Sequence, residues 1–114
     1  MATSAYQVYG RFWVQTKQGA FLGVGRVELL EKIKKYGSIS QAAKSMKMSY
    51  RQAWELIDSM NQHAKQPLVI TQTGGQHGGG ASLTTTGEKA IIQFRKLEGT
   101  HKKFLQQQTK KFRL

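Results

Sequence analysis

Two short serine motifs, eleven positions apart, constrain the fold of this chain more than any other feature. The segments 38–41 (SISQ) and 49–52 (SYRQ) both have the form Ser-x-x-Gln. In such a capping box the serine hydroxyl accepts a backbone amide at a helix start, and the glutamine side chain reaches back to the cap. Each segment therefore predicts the first turn of a helix, and their spacing leaves room only for a short helix and a tight turn between them.

Apolar residues at helical spacing place these two helices in a three-helix core over residues 24–62. A first helix ends at Gly37, a second begins at Ser38, and a third begins at Ser49 and runs to about Gln62, ahead of a proline. The side chains expected to be buried are, helix by helix, Leu29, Leu30, Ile33 and Tyr36; Ile39, Ala42, Ala43 and Met46; and Ala53, Trp54, Ile57 and Met60. Two capped helices joined by a tight turn have the geometry of a helix-turn-helix.

Two hairpins are expected to flank this core. Residues 6–22 predict an N-terminal β-hairpin, because polar and apolar residues alternate from Tyr6 to Gln15 and a short strand can return after Gly19. Residues 68–84 predict a second hairpin, or wing, whose two β-rich flanks enclose a tip with five glycines in seven residues.

A long helix over 85–110, capped by Thr84 or Thr85, is predicted to complete the fold. Its apolar residues recur at intervals of four and three, which is typical of a helix that pairs with another helix. The expected dimer contacts are Ala90, Ile91, Phe94, Leu97, His101 and Phe104, and the polar, basic tail from Gln106 is expected to be frayed. Residues 1–114 then form a single α+β domain: a winged helix-turn-helix with an N-terminal β-hairpin, a three-helix core, a glycine-rich β-wing and a long C-terminal dimerisation helix.

The charge balance indicates a polyanionic partner. Lysine and arginine number 18 against 6 acidic residues, a formal charge of +12. The segments 32–54, 59–87 and 99–114 contain no carboxylate, so they form the candidate anion-facing surface. Nucleic acid and an acidic membrane surface both fit this charge, and the charge alone does not choose between them.

The chain lacks the residue patterns of several other functional classes. It has no cysteine, no apolar run long enough to cross a bilayer and no secretory signal, so we expect a cytoplasmic protein with no membrane partner. The glycine-rich segment lacks the Gly-Lys-Ser/Thr ending of a phosphate-binding loop, and the histidines lack metal-ligand spacing. No paired carboxylates and no nucleophile–base set indicate catalysis. We therefore expect no enzymatic activity, no cofactor and no metal site.

The start of the third helix supplies the candidate base readers. Arg51 can contact both acceptors of guanine and Gln52 can pair with adenine, and each good pair discriminates by roughly 1–3 kcal/mol. The helix starts at Ser38 and Ser49 can also meet phosphate. The residues expected to contact double-stranded DNA are Ser38, Ser40, Gln41, Lys44, Lys47, Ser49, Tyr50, Arg51, Gln52, Glu55, Gln76, His77 and Gly78.

The segment 37–61, GSISQAAKSMKMSYRQAWELIDSMN, resembles the helix-turn-helix of the ModE-type molybdate-responsive transcriptional regulators and, more distantly, that of LysR-type regulators. The resemblance continues through GVGRVELLEKI at 23–33 and PLV at 67–69 to the TGG, GGGA and LTTTG blocks between residues 73 and 87. It implies a bacterial or archaeal dimeric transcription factor. In such a protein the third helix enters the major groove, the wing lies beside the neighbouring backbone or minor groove, and the last helix dimerises.

The chain departs from that family pattern in two places. The family commonly has Glu-Arg after the Leu-Val and a lysine in the glycine loop, where this chain has Ile70, Thr71, Gln76 and His77, so its wing has less positive charge. Family regulators also carry a molybdate-binding domain after this region, which the sequence to Leu114 lacks, so direct molybdate binding is not expected.

Three functions remain open at this point. A sequence-specific DNA-binding homodimer that reads an inverted repeat fits the helix-turn-helix best. A non-specific architectural nucleic-acid binder fits the charge, and a protein-interaction module that pairs with a separate sensor chain fits the missing sensor domain. Competition by random duplex separates the first two functions, and absence of duplex binding at low salt favours the third.

Overall fold

The computed structural model describes residues 5–72 and 80–114. Within these ranges the chain forms four helices and two antiparallel two-stranded sheets. In chain order the elements are β1 Val14–Thr16, β2 Gly19–Leu22, α1 Val24–Tyr36, α2 Ile39–Ser45, α3 Tyr50–His63, β3 Val69–Gln72, β4 Gly80–Leu83 and α4 Thr85–Lys111. The predicted α+β winged helix-turn-helix is confirmed, with β1 and β2 as the N-terminal hairpin and β3 and β4 as the wing.

Helices α1, α2 and α3 enclose one hydrophobic core, which α4 and the segment before β3 complete. Its fully or almost fully buried side chains are Val27, Leu29, Leu30, Ile33, Ala42, Ala43, Ala53, Ile57, Met60, Leu68 and Phe94. Three side chains expected in this core are not fully buried. Tyr36 is 38% exposed at the end of α1, Met46 is half-buried at the end of α2, and Trp54 is half-buried at the edge of the buried α3 face.

The strand expected from Tyr6 to Gln15 is wrong for most of its length. Only Val14–Thr16 pairs with β2, and the register shifts at Val14 because Phe21 is an extra residue in the returning strand. Before Val14, residues 5–13 form an extended arm that lies along α4. The alternating pattern did predict extended backbone, but the surface that this arm packs on is a helix and not a neighbouring strand.

Contacts at both ends and in the middle hold the arm against α4. The Tyr6 ring packs edge-on against Phe112 with centroids 5.3 Å apart, and the Val8 amide donates to Thr109 Oγ1 at 2.9 Å. Further along, the Phe12 ring stacks on Phe94 at 5.0 Å. The fraying expected from Gln106 is therefore wrong, because α4 continues to Lys111 where the arm contacts it.

A glycine at the start of α4 allows the closest backbone approach in the wing base. Gly87 is buried, its amide donates to Thr84 Oγ1 at 3.0 Å, and a Cβ at this position would clash with the carbonyl group of Leu68. Thr84 is thus the cap of α4, one of the two residues expected there. By contrast Gly99, farther along the same helix, has nothing within 4 Å of a built Cβ.

An ion-pair cluster joins α4 to α1 beside the core. Arg95 donates from Nη2 and Nε to the two carboxylate oxygens of Glu31, at 2.6 and 3.1 Å, and from Nη1 to Glu98 at 2.9 Å. The hydrogen bonds from Arg95 lower the pKa of the Glu31 carboxyl below its ordinary value of 4.5, against the opposing effect of burial.

None of the helices in the described ranges combines the length and apolar composition needed to cross a bilayer.

Replacing the two α4 glycines by alanine should change stability in opposite directions. Gly87→Ala forces backbone movement at Leu68, so we expect a loss of about 1–3 kcal/mol in the free energy of unfolding. Gly99→Ala is the matched control and should gain about 0.5–1 kcal/mol from helix propensity. Urea denaturation followed by circular dichroism measures both variants, and equal effects at the two sites would contradict the packing described.

The Glu31–Arg95 pair should make stability sensitive to acid. Because the folded-state pKa of Glu31 is depressed, its contribution is present above pH 4.5 and is lost as the pH falls through the folded-state value. Both side chains are about one-third exposed, so we expect only about 0.5–1 kcal/mol. Glu31→Gln and Arg95→Gln should each flatten the fall in stability between about pH 5 and pH 3, and the double variant should flatten it no further. An additive effect of the two substitutions would rule out the pairing.

Candidate nucleic-acid interface

The turn between α2 and α3 has the geometry of a Schellman motif. The Lys47 amide donates to the Lys44 carbonyl at 3.1 Å, and the Met48 amide donates to the Ala43 carbonyl at 3.0 Å. These two bonds satisfy carbonyl groups at the end of α2 and require a left-handed residue at the position of Lys47. Lys47 does have φ +57°, although this position usually holds glycine. The turn therefore directs α3 away from α2 within very few residues.

The two predicted capping serines hold the helix starts on either side of this turn. Ser38 Oγ accepts the Gln41 amide at 3.2 Å, and Ser49 Oγ accepts the Gln52 amide at 3.0 Å. The second half of each capping box is not observed, since no glutamine side chain in the described ranges hydrogen-bonds back to its cap. The serines alone thus satisfy these helix amides, and the side chains of Gln41 and Gln52 stay exposed.

The structure brings most of the predicted DNA-contacting residues together on α2, the turn and the first turn of α3. Ser38 is half-buried, and the exposed members are Ser40, Gln41, Lys44, Lys47, Ser49, Tyr50, Arg51, Gln52 and Glu55. Gln76, His77 and Gly78, expected at the wing tip, lie outside the described residues. The segment from Ser38 to Trp54 contains three cationic side chains and no carboxylate, and the one carboxylate of this surface, Glu55, is paired with Arg51.

Two exposed side chains at the start of α3 are each held by a partner one turn further along. Arg51 donates from Nε to Glu55 Oε1 at 3.2 Å. Trp54 donates from its indole nitrogen to the Tyr50 hydroxyl at 2.6 Å, with the two rings edge to face at 6.5 Å. Each of these side chains at the start of α3 thus has an intrahelical partner four residues away.

Hydrogen bonds at the base of the wing fix it relative to α3. The Asn61 side chain accepts the Leu68 amide at 2.8 Å and donates to the Val69 carbonyl at 3.1 Å. On the other strand, the Ala81 amide donates to the Gly37 carbonyl at 3.0 Å. The wing is thus anchored both to the end of α3 and to the corner between α1 and α2.

Arg26 performs a similar positioning role near the same C-terminal end of α3. Its Nη1 donates to Ser59 Oγ at 3.0 Å and lies 3.2 and 3.3 Å from the carbonyl oxygens of Ala20 and Phe21. Sequence reasoning assigned no role to Arg26 or Asn61. No local pattern could have identified them, because their partners lie in other elements.

The residues predicted for dimerisation differ in how far the rest of the chain covers them. Phe94 is 2% exposed and stacked under Phe12, and His101 also packs on Phe12 with ring centroids 4.8 Å apart. Phe94 is therefore unable to contact a partner, which corrects that part of the prediction, because the chain's own arm covers it. Ala90 and Ile91 are half-buried against the core. Leu97 and Phe104 are 46% and 53% exposed, and Ile92, not predicted, is 65% exposed.

A family model described as bacterial regulatory helix-turn-helix protein, lysR family, matches residues 24–88. The chain is 41% identical over 95 residues to the molybdenum transport protein ModE of Azotobacter vinelandii, across 83% of this chain and 35% of that protein. It is 44% identical over 78 residues to the DNA-binding transcriptional dual regulator ModE of Escherichia coli K12, across 68% of this chain and 30% of that protein. The expected resemblance to ModE-type regulators is confirmed, and this chain spans about a third of the length of these relatives.

The fold is also similar to that of a mutant of MepR from S. aureus, solved bound to an oligodeoxyribonucleotide. The TM-score is 0.58 with 16% sequence identity, over 76% of this chain and 65% of that chain. At this level of identity the likeness concerns the fold.

The left-handed conformation of Lys47 in the turn between α2 and α3 can be tested by two substitutions. Lys47→Gly and Lys47→Ala both remove the charge and the side chain, but only glycine adopts φ +57° without steric cost. We expect Lys47→Gly to be more stable than Lys47→Ala by about 1 kcal/mol. Thermal denaturation of the two variants measures this difference, and an alanine variant as stable as the glycine variant would argue against the left-handed turn.

Proposed function

Because the chain belongs to the lysR family of bacterial regulatory helix-turn-helix proteins, we propose that it binds double-stranded DNA in a sequence-specific manner and regulates transcription. The observation that carries the proposal is the exposed first turn of α3, which carries Arg51 and begins at the Ser49 cap of a helix whose other face is buried in the core. A helix of this kind fits the major groove of DNA. The proposed role is that of a non-enzymatic cytoplasmic regulator.

Within this proposal Arg51 reads guanine and Glu55 orients it. The bond from Arg51 Nε to Glu55 leaves both terminal amino groups of the guanidinium free. These groups can donate together to O6 and N7 of one guanine, which is the commonest specific contact of arginine in the major groove. Gln52, exposed on the same turn, is proposed to pair with adenine, while Lys44 and Lys47 neutralise phosphates.

The proposed active form is a homodimer. Leu97 and Phe104 are exposed, lie seven residues apart on one face of α4, and provide a contact area for a second copy, without the buried Phe94. Two copies related by a two-fold axis would present their α3 helices about 34 Å apart, which is one turn of DNA. The bound sequence is then an inverted repeat.

Selection of bound sequences from a random duplex pool with the purified protein tests this function directly. Enrichment of an inverted repeat is the expected result. Uniform recovery of all sequences would favour a non-specific binder, for which the charge of +12 is the specific supporting observation. Failure to retain any duplex at low salt would remove DNA binding altogether and favour a protein-interaction module.

Substitutions in the helix-turn-helix should separate reading from phosphate binding. Arg51→Ala should relax the preference for guanine at one position of the selected site by about 1–3 kcal/mol. Lys44→Ala should weaken binding to every duplex alike and reduce the slope of log affinity against log salt by about 0.9. Fluorescence anisotropy at several salt concentrations measures both effects.

Lys17→Ala is the matched control for these two variants. Lys17 lies in the turn of the β1–β2 hairpin, and the neighbouring Gly19 lies by His63, at the opposite end of α3 from Tyr50. The loss of this positive charge should therefore leave both the salt slope and the site preference as in the wild type. A preference for guanine that survives Arg51→Ala would show that α3 is not the reading helix.

A further inference from the structure

The aromatic pair at the start of α3 has a feature that general packing does not explain. Tyr50 is 53% exposed in the first turn of the helix, yet its hydroxyl oxygen is fixed by the Trp54 indole N–H at 2.6 Å. The indole nitrogen is only a donor, so the phenol oxygen is the acceptor in this bond. Trp54, half-buried against the core, thereby holds an exposed phenol in one position.

This bond leaves the hydroxyl hydrogen of Tyr50 pointing away from its partner. Within the described ranges this hydroxyl donates to no acceptor of the protein. A hydroxyl that already accepts one hydrogen bond becomes a stronger donor, because hydrogen bonds in a chain polarise one another. The side chain is therefore prepared to donate to an acceptor outside the molecule.

The surroundings of the hydroxyl favour an anionic acceptor. Lys44, Lys47 and Arg51 are exposed on α2, the turn and the first turn of α3, and Glu55, the nearest carboxylate in sequence, is already paired with Arg51. A phosphodiester oxygen is negatively charged and only accepts, which matches a lone donor in a cationic setting. Tyrosine hydroxyls are among the groups that contact phosphates in protein–DNA complexes.

We propose that Tyr50 donates a hydrogen bond to a DNA backbone phosphate, and that Trp54 is a positioning residue that holds the Tyr50 hydroxyl ready for it. This inference rests on the proposed DNA binding and adds a sequence-independent contact to the base contacts of Arg51 and Gln52. Without Trp54 the exposed phenol has to be ordered when DNA binds, at a cost in affinity.

The test uses the full chain with two fluorescent duplexes, one recovered by selection with the wild-type protein and one of random sequence. Tyr50→Phe keeps the ring and removes the donor, so affinity should fall about tenfold on both duplexes. Because tyrosine is uncharged, the salt slope should not change, unlike that of Lys44→Ala. A loss confined to the selected duplex would show a base contact, and an unchanged affinity would show no contact. Either result would overturn the proposal.

A double-mutant cycle tests the positioning role of Trp54. Trp54→Phe should weaken binding about threefold in the wild type, which is the effect of losing one modest interaction. Trp54→Phe should have no effect in the Tyr50→Phe background, because the hydrogen bond between the two side chains is already absent there. Equal effects in both backgrounds would assign Trp54 to structure alone and overturn its positioning role.

A matched control and a spectroscopic readout guard against a folding artefact. Trp13→Phe removes another exposed indole bond of the same length, to Gln15 at 2.6 Å on the first hairpin, and should leave affinity unchanged. In that background Trp54 is the only tryptophan, since the chain has two. Its emission should shift when duplex is added, and shift less with Tyr50→Phe. No shift in either protein would contradict the proposal even if Trp54→Phe fails to fold.

The two levels of inference fail in different ways. If the wild-type protein binds neither duplex, the proposed function is wrong and this inference falls with it. If the wild type binds but Tyr50→Phe binds equally well, the proposed function stands and only the phosphate contact is wrong.

Discussion

The paired hydrogen bonds from the Lys47 and Met48 amides to the end of α2 determine the position and direction of α3. They close a very short corner, and that corner works only because the buried side chains next to it, Ala42 and Ala43, are small enough to let the helices meet. Once α3 is placed, its apolar face enters the core and its first turn has to face outward. The exposure of Arg51 and the anchoring of the wing by Asn61 both follow from this placement.

Features that rest on contacts between residues close in sequence could be predicted, and features that rest on contacts between distant residues could not. The serine half of each helix cap was predicted correctly because a serine and the amide that it accepts lie three residues apart, as at Ser38 and Ser49. The contact between Gly87 and Leu68, and the anchoring of the wing by Asn61, join separate elements and leave no local signal. Their importance emerges only from the folded arrangement.

The site shows the same division between local and non-local information. The exposed surface at the start of α3 could be predicted, because helical period alone separates Arg51 and Gln52 from the buried Ala53. The intrahelical partners were within reach of sequence reasoning, since Trp54 follows Tyr50 by four residues, but a tryptophan at that spacing was assigned to the core. The coverage of Phe94 was not predictable, because alternation in the arm indicates extended backbone and says nothing about which element receives it.

The arm joins distant parts of the chain, and this has a consequence for the order of assembly. The bond between Val8 and Thr109 spans 101 positions, whereas the helix-turn-helix is built from neighbours in sequence. The outer part of the arm gains its contacts only after the whole of α4 exists to receive it, so it docks late and detaches early. The outer part of the arm can therefore detach from α4 while α3 keeps its shape, so that the arm and the helix-turn-helix have separate stabilities.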